Sequence, residues 1–147
     1  MKSFGIALII GLAVTLGACG GGSNNSTING TWTAGLTDTS QNTVLAFTAT
    51  FTQGSGTSVN ITNLTFSTQP SGCFDSISSA TGTFALSGNA NGNVTGTFGM
   101  AIVSGPPTNT LTLSNGQVAN NTISGTWTLT GTGSGCTGSG TFTMNPS

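Results

Sequence analysis

The chain has 147 residues, of which 35% are hydrophobic and 2% charged, with one cation, two carboxylates and no histidine. So few cations exclude nucleic acid and anionic lipid head groups as electrostatic partners, because there is nothing to neutralise a run of phosphates. The same poverty leaves little for general acid–base catalysis, and it leaves no His and Cys cluster for zinc or copper.

Met1-Lys2-Ser3 carries that one cation, Lys2, and the run from Phe4 to Leu16 is apolar and uncharged. Small residues follow, in the layout of a secretory signal peptide. At ~1.5 Å per helical residue, a run of about 13 residues falls well short of a ~30 Å hydrocarbon core. A cleaved leader is therefore expected and a permanent span is not.

Leu16-Gly17-Ala18-Cys19 resembles the lipobox of bacterial lipoproteins, in which an aliphatic residue and two small residues precede the lipidated cysteine. The resemblance implies a diacylglycerol on the Cys19 thiol, cleavage before Cys19 and a further acyl chain on the new amine. At roughly 0.8 kcal/mol per buried CH₂, two or three chains hold a protein on a bilayer without spanning it. The alternative is an ordinary cleaved leader with a chance cysteine at its end. Gly20, not Asp, follows the cysteine; in a Gram-negative cell the resemblance then implies the outer membrane. The expected division is residues 1–18 as signal peptide, 19–27 as lipidated tether and 28–147 as one β domain.

Cleavage there leaves a mature chain with no Lys, Arg, His, Glu or Tyr, and with Asp38 and Asp75 as its only charged side chains. Gly20-Gly21-Gly22-Ser23-Asn24-Asn25-Ser26 has nothing to bury and is expected to be a flexible spacer. About 120 residues then suit one domain with one core.

From Ile28 the apolar residues alternate with period two. Ile28, Trp32, Ala34 and Leu36 share a face with Gly30; Leu45, Phe47, Ala49 and Phe51 alternate with Thr48, Thr50 and Thr52. Val59, Ile61, Leu64 and Phe66 mark a third strand whose phase slips near Asn63, the sign of a bulge. Gly82, Phe84 and Leu86 mark a fourth strand, Val94 to Ile102 a fifth, and Leu111 and Leu113 a short sixth. Ile123 to Leu129 and Gly138 to Met144 complete eight. Alternation with β-branched Thr on the opposite face is the strand signal, and no helical period follows the leader.

The triplet Gly-Thr-aromatic recurs at Gly30-Thr31-Trp32, Gly82-Thr83-Phe84, Gly96-Thr97-Phe98, Gly125-Thr126-Trp127 and Gly140-Thr141-Phe142. Glycine and ring share a face, so a neighbouring ring can cover each glycine, as curved sheets and barrels require. Eight strands with short connections predict an all-β fold, an eight-stranded antiparallel up-and-down barrel or a closely related sandwich. If the first strand runs away from the tether, the connections 37–43, 67–79, 103–108 and 132–135 lie at the far end. The connections 54–57, 88–93 and 114–121 lie at the near end.

Ser71-Gly72-Cys73 and Ser134-Gly135-Cys136 both fall at that far end. With Cys19 assigned to lipid, Cys73 and Cys136 form an even pair in an exported chain, and a disulfide between them is expected. A reactive thiol, the alternative, lacks a cation or His to activate it.

Gly30-Thr31-Trp32 and Gly125-Thr126-Trp127 also resemble the G-x-W of calycin barrels, the lipocalins and avidins. The resemblance implies a barrel and carries over no ligand residues. Trp32, Phe47, Phe84, Phe98, Trp127 and Phe142, with Phe51, face the inferred interior. They are expected to pack as core, or else to line a cavity for a small apolar ligand. Asp38 and Asp75 fall on two far-end loops. They read as solubilising residues; a calcium site needs six to eight oxygens, and a hydrolytic pair needs a sugar cleft. No catalytic residue, metal site or cofactor is expected. The expected function is a lipid-anchored envelope domain with a binding or structural role, its partner an unidentified envelope protein or a small apolar ligand. A calycin-like carrier is the second reading.

Overall fold

A computed structural model describes residues 27–90 and 93–147. The leader, Cys19, the tether as far as Ser26 and the pair Asn91-Gly92 lie outside the described residues. Eight strands follow one another: β1 (Gly30–Asp38), β2 (Thr43–Gln53), β3 (Ser58–Thr68), β4 (Ile77–Ala90), β5 (Asn93–Ser104), β6 (Asn109–Ala119), β7 (Thr122–Gly131) and β8 (Gly138–Pro146). Each pairs antiparallel with its sequence neighbours, and β8 returns to pair with β1, closing an up-and-down barrel.

Alternation along the strands becomes inside and outside of the barrel. In β1, Trp32, Ala34 and Leu36 are buried, and in β2, Leu45, Phe47, Ala49 and Phe51. The opposite faces present Thr31 and Thr33, with Thr50 paired to Thr31 across the strands. Hydroxyls there bond side by side: Thr31 to Thr50 at 3.2 Å, Thr37 to Thr141 at 3.1 Å and Ser114 to Thr126 at 3.2 Å. The rings are inside and the threonines outside, the reverse of a lipid-facing barrel.

The phase slip foreseen near Asn63 is present. Asn63 has φ 51°, and the β2–β3 register shifts between Thr48 and Thr50. A second slip lengthens the sixth strand well beyond Leu113. Asn115 adopts φ 53°, the register shifts between Ser114 and Gln117, and burial changes from Leu111 and Leu113 to Val118. The bulge breaks the period-two pattern that marks a strand, so a connection over 114–121 is corrected to Asn120-Asn121 alone. Both residues have positive φ, 50° and 57°, as a two-residue type I′ hairpin requires. The fourth strand is likewise longer than its Gly82–Leu86 core. Leu86 keeps the inward phase yet stands 47% exposed beyond the packed part of the barrel.

Glycine and ring interlock across β7 and β8. Gly125 pairs with Phe142 and Trp127 pairs with Gly140. A methyl group on Gly125 would lie 2.8 Å from the Phe142 ring, and one on Gly140 would lie 2.9 Å from the Trp127 indole nitrogen. Each triplet's ring thus occupies the space vacated by the other triplet's glycine. Gly96 accommodates Phe84 in the same way, at 2.5 Å.

The barrel is least zipped between β3 and β4, where only Ser58–Thr83 and Val59–Gly82 pair. Phe74, in the connection after β3, turns back so that its ring stacks 4.6 Å from Phe66. Cys73 beside it is bonded to Cys136, with the two Cα atoms 5.6 Å apart. The disulfide therefore joins the β3–β4 and β7–β8 connections over the far mouth, where the strand order had placed both cysteines.

Candidate functional site

The rings singled out in the sequence, Trp32, Phe47, Phe84, Phe98, Trp127 and Phe142, are all no more than 5% exposed. Trp32 stacks on Phe51 at 6.4 Å, and Phe51 meets Phe98 at 5.5 Å. Phe47 meets Phe66 edge-on at 5.6 Å, which continues to Phe74. Phe84, Phe142 and Trp127 lie instead against Gly96, Gly125 and Gly140, and both indole N–H groups are used by the fold. Trp32 donates to the Ile28 carbonyl at 2.9 Å near the tether, and Trp127 donates to the Thr37 carbonyl at 2.8 Å near the far mouth.

A polar hub at the far mouth was not legible in the sequence. Asn109 is 1% exposed and its side chain serves three connections. Its amide nitrogen donates to the Cys73 carbonyl at 3.0 Å and to the Pro107 carbonyl at 3.3 Å; its amide oxygen accepts from Gly133 N–H at 3.4 Å. Ser104, also buried, accepts from the Asn109 backbone N–H at 2.8 Å and donates to the Pro107 carbonyl at 3.0 Å. Disulfide and hub together fasten the loops of the far end to one another. Phe74 was missed as a core residue because it lies in a loop; its position directly after a half-cystine, in an otherwise polar segment, was the available signal.

The two carboxylates are not brought into one site. Asp38 closes the β1–β2 turn: its Oδ1 accepts from the backbone N–H of Ser40 at 2.8 Å and of Asn42 at 2.9 Å. Asp75 is exposed on a different cleft, beside Gly72, Ser76 and Gly105. Among the described residues no three His, Cys, Asp or Glu side chains come together.

Larger clefts open at both barrel ends. One of about 300 Å³ lies by the tether, against Ile28, Trp32, Val94 and Val118. The other, of about 390 Å³, lies at the far mouth beside the disulfide-held loop. Its surface includes Leu45, Trp127 and Leu129 from inside the barrel, with Asp38, Thr39, Thr137 and Ser139 around them. Comparison of the chain with protein-family models, with curated proteins and with solved structures found no match.

Proposed function

We propose that this chain is a lipid-anchored envelope domain with a non-catalytic role, a rigid binding or structural module carried on Cys19. The observation that carries the reading is the far mouth. A loop bearing Cys73 and Phe74 is fixed across it, above an interior occupied by mutually packed rings. The separate structural placement of Asp38 and Asp75 supports a non-catalytic role, since acid–base chemistry needs groups within reach of one reacting centre. Labelled palmitate tests the anchor: it enters the exported chain and is lost in Cys19→Ala. An unlabelled, freely secreted product refutes the reading.

The second reading, a calycin-like carrier, is favoured by one observation: Trp127 and Leu129 reach a cleft at the far mouth. A saturable shift in tryptophan emission with apolar metabolites, lost in Trp127→Ala, supports it. Silence across the panel favours the packed module.

A further inference from the structure

We infer that the open seam between β3 and β4 is where a second copy of this chain docks, its β3 adding antiparallel to β3 of the first. The inference goes beyond the module reading and stands on the barrel alone, whether or not Cys19 carries lipid.

Beyond Ser58–Thr83 and Val59–Gly82, β3 has no partner on its β4 side, although β2 pairs with it as far as Thr68. Phe84 N–H donates to the Thr57 carbonyl at 2.7 Å, so alternate residues from Thr57 turn their backbone groups toward β4. Ile61 is the first of that series left unpaired there. Burial changes at the same place. Apolar residues turned inward on β1, β2, β7 and β8 are at most 5% exposed, and so is Val59 at the paired end of the seam. Ile61, Leu64, Phe66 and Ala80 are only half-buried, and Ile77 is 39% exposed. Unpaired strand backbone beside an apolar row is a template for another strand, and natural edges are commonly blunted with charge or proline. From Ser58 to Thr68, β3 has neither.

Symmetry selects the partner. Ile61-Thr62-Asn63-Leu64-Thr65-Phe66 runs apolar, Thr, two central residues, Thr, apolar, the same from either end. Ile61 and Phe66 point inward, opposite Phe51 and Phe47; Thr62 and Thr65 point outward, opposite Thr50 and Thr48. A two-fold axis between Asn63 and Leu64 therefore sets Ile61 against Phe66 of the second copy and Thr62 against its Thr65, each pair on one face. The bulge lies on the axis, where two residues face two, so the register is kept across it. Ring and β-branched side chain cover one another, and the threonines extend the hydroxyl pairing present at Thr31 and Thr50. Charge favours the antiparallel sense. Asp75 lies beyond the far end of β3, so antiparallel copies carry it at opposite ends of the pair, whereas parallel copies would bring two carboxylates together. Six residues a side bury less than the ~1,000 Å² of a stable interface, so the pair is weak and concentration-dependent.

The test is disulfide trapping in the full-length chain, purified in non-ionic micelles with micelles in excess. Thr62→Cys and Thr65→Cys are made as separate chains; both positions are exposed, and each fold is checked by its thermal melt. Opposed residues of an antiparallel pair stand within disulfide reach. The mixture of the two is expected to trap about tenfold more dimer than either alone, or than Thr128→Cys on the outer face of β7. Thr62→Lys with Thr65→Lys in one chain opposes like charges twice across the axis. It is expected to weaken dimerisation of the otherwise unaltered chain about tenfold, read by sedimentation, with an unchanged melt. A mixture that traps no more dimer than either variant alone overturns the inference, as does a chain still monomeric at ~1 mM. A monomeric chain that takes up an added uncharged peptide of alternating valine and threonine assigns the edge to a foreign strand and likewise overturns the second copy as its occupant. Palmitate labelling of Cys19 is untouched by any of these results, so the anchored module is judged separately.

Discussion

Gly140→Ala tests whether the Gly-Thr-aromatic triplets act as a cross-strand lock. A methyl group at Gly140 would overlap the Thr37 carbonyl oxygen of β1 and stand 2.9 Å from the Trp127 indole nitrogen. Those two atoms are the partners of the 2.8 Å bond that ties β7 to β1. The variant must therefore push β8 away from β1 or break that bond. Overpacking costs about 1–3 kcal/mol. A buried indole N–H left unpaired costs about 1–3 kcal/mol more. A total of about 2–6 kcal/mol is a large part of a domain's usual ~5–15 kcal/mol. For about 120 residues that lowers the melting temperature by roughly 8–24 °C. The control is Gly35→Ala, on the outer face of β1, where a methyl group meets nothing within 4 Å. There alanine is neutral or stabilises by up to ~1 kcal/mol, because glycine carries the larger entropic cost in a strand. Thermal melts followed by tryptophan emission, with the disulfide intact, read both. A Gly140→Ala melt within a few degrees of the parent would falsify the lock.

The Cys73–Cys136 bond closes a loop of 63 residues. Its loss in a Cys73→Ser, Cys136→Ser pair is expected to lower unfolding free energy by ~4 kcal/mol in denaturant titration, and an unchanged midpoint contradicts this. Asn109→Ala removes the side chain serving the Cys73 and Pro107 carbonyls and Gly133 N–H. It should cost roughly 2–5 kcal/mol and hasten amide exchange in the far-end connections while leaving the near-end hairpins protected. Uniform exchange throughout would show that the hub does not hold that end. At the two-residue hairpin, Asn121→Gly, at φ 57°, should be tolerated within about 1 kcal/mol, whereas Asn121→Val should not; equal melts would dismiss the left-handed requirement.

Most of this fold is written in period two. Thr-flanked runs such as Leu45–Phe51 can bury only one face, and eight of them in an unbroken series leave few arrangements besides a meander closed on itself. The Cys73–Cys136 pair followed from the cysteine count, and the same ordering brought both to one end. Legibility failed where the backbone leaves the extended region. Asn115 ends the alternation of β6, so the strand reads as a loop although pairing continues to Ala119. Asn109 and Phe74 were illegible for another reason: their burial depends on loops meeting at the far mouth, and no local pattern records a meeting between residues so distant in sequence. Of the candidate site, the inward rings were legible one by one. The proximity of Asp38 to Trp127 was not, because it arises from β1 and β7 facing the same mouth through the closure with β8.

The threonine coat of the barrel governs how copies meet. Apart from Asp38 and Asp75 at the far end, two such surfaces have no like charges to keep them apart at a Debye length, and among the described residues there are no opposite charges to draw them together. What remains is the bound water on the hydroxyls, which acts only at contact and hardly responds to ionic strength. A dense layer of these barrels would accordingly keep the same spacing in fresh water and in brine.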